Sequence, residues 1–140
     1  MKMEIYYIGF IFDYDPNISI AKKISEMLLP VKVDRGLKED VIKYLSSGTF
    51  LSGAMSYIYD DENKPIGDLN YYTDGVFVWP SYYIYFIKKY DNFEITKALI
   101  DQAKKSNFLS DEVSREKLIE LENVFLQEWI KKKTSSPNSA

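Results

Sequence analysis

Residues 50–80 read FLSGAMSYIYDDENKPIGDLNYYTDGVFVWP. Phe50 to Tyr59, with aromatic residues at 50, 57 and 59 and Ile58 between the last two, predicts a strand. Asp60-Asp61-Glu62-Asn63-Lys64-Pro65 is a polar turn. Ile66 to Tyr72 predicts a second strand. Thr73-Asp74-Gly75 predicts a tight turn, because Asp-Gly readily takes the positive φ that a hairpin needs. Val76 to Trp79 predicts a third strand. Connections this short join neighbours that run in opposite directions, so the stretch reads as an antiparallel meander.

Downstream, Pro80 suits the first position of a helix. Tyr83, Phe86, Ile87 and Tyr90 then follow at helical spacing. Residues 82–87 have strand propensity, but the spacing and the proline favour helix. A further helix fits Glu94 to Lys105, with Ile95, Ala98 and Leu99 inward and Asp101 and Lys105 as an i,i+4 pair. The last helix is expected from Asp111 to Lys132, capped by Ser110. Its stripe is Leu118, Leu121, Phe125 and Trp129. Asp111 and Glu112 at its start and Lys131 to Lys133 at its end would complement the helix dipole.

Upstream, Lys2 to Phe12 is nearly continuous in apolar character and predicts a central strand. Asp15 is a candidate helix cap with Pro16 at the first position. Ile20, Ile24, Met27 and Leu28 continue that helix until Pro30. After a connection over Val31 to Gly36, Leu37, Val41, Tyr44 and Leu45 mark a helix ending at Ser46, with Gly48 placed for a left-handed cap. The sum is an α+β fold: an antiparallel sheet of three to four strands with about five helices packed on it. One domain is expected over residues 1–133, with 134–140 a disordered polar tail.

The chain has 140 residues, no cysteine and no histidine. No disulfide, thiolate nucleophile, imidazole base or His-bound metal is therefore open to it. The start, Met1-Lys2-Met3-Glu4, does not read as a signal peptide, and no apolar run is long enough for a bilayer. The expectation is a cytoplasmic protein with no membrane partner. The net charge of −3 and a pI of about 5.1 are unlike the basic footprint of nucleic-acid binders.

The acidity is localised. Between Gly48 and Gly75 stand Asp60, Asp61, Glu62, Asp68 and Asp74 against Lys64 alone. That segment carries −4 where the whole chain carries −3, so the remainder sums to +1. Tyr57, Tyr59, Tyr71 and Tyr72 lie on the same segment. Tyrosine supplies rigid contact area and a hydroxyl, as at many interfaces. The partner-binding candidates are therefore Asp60, Asp61, Glu62, Asp68, Tyr71, Tyr72 and Asp74. Rings on a sheet also stack bases, but acids between them would repel phosphate, so no nucleic acid is expected. Asp13-Tyr14-Asp15 after an apolar strand has the placement of the paired aspartates of a Mg²⁺-dependent phosphatase. Asn17 departs from that pattern, and the order of elements lacks repeated βαβ units. Asp60-Asp61-Glu62-Asn63 with Asp68 lacks the alternating ligands and glycine of an EF-hand. No catalytic residue, cofactor or metal is expected.

Asp74-Gly75-Val76-Phe77-Val78-Trp79-Pro80, followed by an aromatic helix to Tyr90, resembles small bacterial domains with a DG-x-x-x-WP unit, of the polymorphic-toxin immunity protein type. The resemblance runs from about Gly48 to Phe108. Asp91-Asn92-Phe93-Glu94 stands where the family pattern has Leu-Pro before the next helix. The resemblance implies an acidic cytosolic binder that occludes the active site of a toxin domain, with no catalytic residues to carry over. An adaptor with another protein partner is the alternative, followed by a carboxylate-based Mg²⁺ enzyme.

Overall fold

The computed structural model describes residues 5–134. The meander forms as the sequence predicts. Strand β2 (Thr49–Tyr59) pairs antiparallel with β3 (Pro65–Thr73), and β3 pairs antiparallel with β4 (Phe77–Pro80). Each turn is closed by an aspartate. Asp60 Oδ1 accepts from the Glu62 and Lys64 amides, both at 2.8 Å. Asp74 Oδ1 accepts from the Val76 and Phe77 amides at 2.9 and 2.7 Å. Gly75 takes φ +97°, the left-handed conformation that Asp-Gly makes accessible.

The fourth strand departs from expectation. Strand β1 is only Tyr6–Tyr7, and it runs parallel to β4. The sheet is therefore mixed, not purely antiparallel, with order β1-β4-β3-β2. Of the strand expected over Lys2 to Phe12, the described residues from Ile5 onward form only this two-residue piece, and β1 lies at an edge. Gly9 takes φ +71° and turns the chain out of the ladder, with the Tyr83 ring packed where its Cβ would be. Ile8, Phe10 and Ile11 stay in the core as irregular chain, which accounts for the apolar run without a long strand.

The helix expected after Asp15 is reduced to one turn, α1 (Ile24–Met27). Residues 11–22 instead double back through local hydrogen bonds, with the Phe12 amide on the Lys22 carbonyl and the Lys22 amide on that of Phe10. Asp15 does not cap; its side chain turns inward. Helix α2 (Arg35–Ser46) is close to expectation, with Asp34 accepting from the Leu37 amide and Val41, Tyr44 and Leu45 buried. Gly48 is not the left-handed cap. Its φ is negative, and glycine is required because a Cβ there would fall inside the Trp79 ring.

Helix α3 (Ser81–Lys89) starts directly after Pro80 and is a helix, not a strand. Helix α4 (Lys97–Lys105) begins later than expected, after Thr96. Helix α5 (Arg115–Thr134) begins after Ser114, whose Oγ accepts from the Lys117 amide. Asp111 and Glu112 thus lie outside it, and Glu116 is the acid of its first turn. Ser110 is not its cap; its amide donates to Ser47 Oγ. Of the polar tail expected over 134–140, Thr134 is the last residue of α5 and 135–140 lie outside the described residues. Among these residues there are five helices, and none is long and apolar enough to cross a membrane.

The two faces of the sheet are covered differently. Leu69, Tyr71 and Thr73 alternate onto one face and are buried. There Phe125 of α5 packs on Tyr71, with ring centroids 4.7 Å apart, and on Tyr7. Tyr72 and Trp79 face each other on the opposite side, where Trp79 meets Tyr44 of α2. Asp15, 1% exposed, joins the parts. Its Oδ1 accepts from the Tyr71 hydroxyl and its Oδ2 from the Tyr82 hydroxyl, both at 2.6 Å, and the Trp129 indole donates to Oδ1 at 3.4 Å. The Tyr82 oxygen also accepts from the Ile11 amide at 2.9 Å. Burial raises the Asp15 pKa above the ordinary range, against the opposing pull of those donors.

Two outcomes are expected in urea unfolding. Asp15→Ala strips the acceptor from two buried hydroxyls and should cost about 2–5 kcal/mol. Gly48→Ala forces the Trp79 ring aside and should cost about 1–3 kcal/mol; an unchanged midpoint for either would refute the packing described. The pH sign for Asp15 follows from its raised folded-state pKa. Its ionisation opposes folding, so its contribution to stability falls as pH rises from the unfolded pKa through the folded one. Asp15→Asn should remove that slope.

Candidate functional site

The β2–β3 turn meets the end of α3 in one charged cluster. Lys89 Nζ lies 3.1 Å from Asp60 Oδ2, 2.6 Å from Asp61 Oδ1 and 2.7 Å from Glu62 Oε1. The Tyr85 hydroxyl donates to Asp60 Oδ2 at 2.7 Å, and the Tyr90 hydroxyl donates to Asp61. Burial would push the Asp60 and Asp61 carboxyls up. Hydrogen bonds outweigh it and hold both below the ordinary range: for Asp60 from the Lys64 amide, Tyr85, the Glu62 amide and Lys89, for Asp61 from Lys89 and Tyr90. The three acids bring carboxylate oxygens within 4.8 Å of one another, the spacing of a cation site, and the cation among them is the Lys89 ammonium.

The opposing charge thus comes from outside the acidic segment, and sequence reasoning missed it. Lys89 falls at i+4 from Tyr85 on an aromatic helix, but nothing local says which turn that helix end meets. Part of the negative excess is neutralised internally. Glu62, with 60% of its side chain accessible, and Asp68 remain open to solvent.

Beside this cluster a groove of about 340 Å³ runs between α2, α3 and β3. Leu45, Ile66 and Ile84 are apolar in its lining, and Asp68, Tyr72 and Lys88 contribute polar groups. Tyr85 links the two features: it lines the groove and its hydroxyl reaches Asp60. The register sets Phe50 opposite Tyr72 and Tyr57 opposite Asp68, so both rings extend the groove side of the sheet. Phe50 is 52% and Tyr57 56% exposed. The Phe50 ring meets Tyr72 edge-on at 6.0 Å, and Tyr57 meets Tyr59 at 5.5 Å. Between them β2 bulges at Met55, which has φ +54° and is fully exposed.

The seven candidate contact residues do not form one surface. Asp61, Glu62, Asp68 and Tyr72 lie on the hairpin and groove with accessible side chains. Asp60 is buried and holds its turn, Tyr85 and Lys89. Tyr71 is 1% exposed on the other face and donates to Asp15. Asp74 is half-buried, closes its own turn and accepts from the Tyr44 hydroxyl. Phe50 and Tyr57 join the accessible set through strand register, a signal available once the turns are placed. Of the phosphatase-like pair, Asp13 is exposed, whereas both Asp15 oxygens are engaged by tyrosine hydroxyls inside the core.

A group held below its unfolded pKa stabilises the fold above that pKa, and the contribution is lost as pH falls. Asp60 and Asp61 therefore predict acid lability that depends on Lys89. Lys89→Met should unfold at lower urea than the native chain at pH 7 and lose less further stability on acidification. Parallel pH profiles for the two proteins would show that Lys89 does not hold the carboxylates.

No protein-family model matches this chain, and no curated protein or solved structure matches it either.

Proposed function

We propose that this chain is a non-enzymatic protein-binding domain of the immunity type, which docks a basic face of a cognate bacterial toxin and blocks it by occlusion. The observation that carries this reading is the pairing of open carboxylates, Glu62 and Asp68, with the half-exposed rings of Phe50 and Tyr57 at the edge of a groove with apolar walls. Aromatic anchors in a partly apolar patch with a charged rim are the composition of a protein-docking surface. Carboxylates at the rim steer a basic partner and select against acidic ones.

The Lys89 cluster supports the same reading. It fixes the hairpin through several charge-assisted hydrogen bonds, so less ordering is left for the moment of association. The toxin-directed part rests on the DG-x-x-x-WP resemblance, and a cytoplasmic location goes with it.

Calorimetric titration with the protein encoded by the neighbouring gene tests the proposal. Binding should weaken with added salt. Glu62→Lys combined with Asp68→Lys should weaken it by about tenfold or more, and Tyr57→Ala by about 1–2 kcal/mol; Asp68→Lys alone should leave thermal unfolding unchanged, whereas Glu62→Lys also gives up the Lys89 contact. Binding that ignores all three substitutions would place the interface elsewhere. No binding at any salt would reject the cognate-toxin reading.

A further inference from the structure

The groove between α2, α3 and β3 holds charges that the fold itself does not use. Ser81, Ile84, Tyr85 and Lys88 follow at i, i+3, i+4 and i+7, so one stripe of α3 forms a wall of it. Leu45 of α2 and Ile66 of β3 add aliphatic surface to the lining. The acids of the neighbouring turn are engaged by Lys89, and the Tyr85 hydroxyl donates to Asp60. The Asp68 carboxylate, the Lys88 ammonium and the Tyr72 hydroxyl line the same groove. None of these three groups has a hydrogen-bond or ion-pair partner among the described residues. The two charges also stand apart. The Asp68 carbonyl accepts from Ser81 Oγ at 3.0 Å, which places Asp68 beside the first residue of α3. Lys88 comes seven residues later, about 10 Å along the helix axis. An unpaired anion and an unpaired cation therefore bracket a stretch of apolar wall.

We propose that this groove binds a short apolar peptide with free termini, its amino end on Asp68, its carboxylate on Lys88 and one aliphatic side chain among Leu45, Ile66 and Ile84. The length follows from the spacing. An extended chain covers about 3.3–3.6 Å per residue, so two or three residues bring their termini to the two charges. The volume agrees, because about 340 Å³ is at the small end of ligand sites. The charge pair sets the class. A nucleotide or a fatty acid would suit Lys88 and meet the Asp68 carboxylate with repulsion. An amine would suit Asp68 and leave Lys88 unpaired. A ligand with both signs satisfies both groups. Asp68 thereby has a role beyond steering a basic partner. The site needs no protein partner, so it stands or falls apart from the toxin reading.

The test uses the full chain, isotope-labelled, and the tripeptide Ala-Leu-Ala with free termini as the probe. Titration to about 10 mM covers a dissociation constant of about 1 mM, the order expected of so small a ligand. The expected result is saturable shifts of the Leu45, Ile66 and Ile84 methyl signals. Acetylating the amino end or amidating the carboxyl end should each weaken binding about threefold, the worth of an exposed ion pair. Asp68→Asn should weaken the free peptide by the same factor and leave the N-acetyl form unaffected. Lys88→Met should weaken the free peptide and leave the amide form unaffected. A peptide blocked at both ends that binds as tightly as the free one overturns the proposal and points instead to an interior segment of a protein chain. Methyl signals that stay in place over the whole titration overturn it as well. Both results leave the toxin titration to be judged on its own salt dependence.

Discussion

The buried carboxylate of Asp15 is the interaction on which the rest of the structure depends. It belongs to an irregular segment with no strand or long helix of its own. Through Tyr71, Tyr82 and Trp129 it fastens that segment to β3, α3 and α5. A carboxylate removed from water is costly unless donors surround it. Once three donors are committed to it, the positions of three elements become mutually dependent. That dependence gives the N-terminal segment a defined path that its own backbone pairing would not impose.

Helix α3 carries this constraint to the hairpin. Tyr82, Tyr85 and Lys89 follow at i, i+3 and i+7, one face of a helix. Tyr82 reaches Asp15, whereas Tyr85 and Lys89 reach Asp60. The helix therefore spans from a buried, neutral-donor network to a surface, charge-assisted one. The same helix lines the groove, so the surface proposed for docking is built on the element with the best-anchored polar contacts. A docking surface on such a support loses little freedom when a partner arrives.

The aromatic residues divide along the same lines. Tyr71 and Tyr72 are neighbours in sequence, yet one is a core donor and the other lines an open groove. Strand alternation makes the two point to opposite faces. It does not say which face α5 will cover. The acidic turn is similar: its carboxylates are plain in the sequence, but the ammonium at their centre arrives from a helix more than twenty residues later.

Much of the local structure was determined by the sequence itself. Asp74-Gly75 makes its turn because Asp and Gly satisfy the needed φ and hydrogen bonds within four residues. Pro80 opens α3, and the apolar spacing of α2 and α5 places their inward faces, because these signals are contained within a few helical turns. The accessible carboxylates Glu62 and Asp68 were legible for the same reason. Only the tertiary structure decided the parallel pairing of β1, the role of Asp15, the place of Lys89 and the reason for Gly48. Each of these depends on groups far apart in the chain: Asp15 with Tyr71 and Trp129, Lys89 with Asp60, Gly48 with the Trp79 ring. A local pattern sees a cap, a solvated lysine or a helix stop, because packing and desolvation across the fold enter no window of adjacent residues.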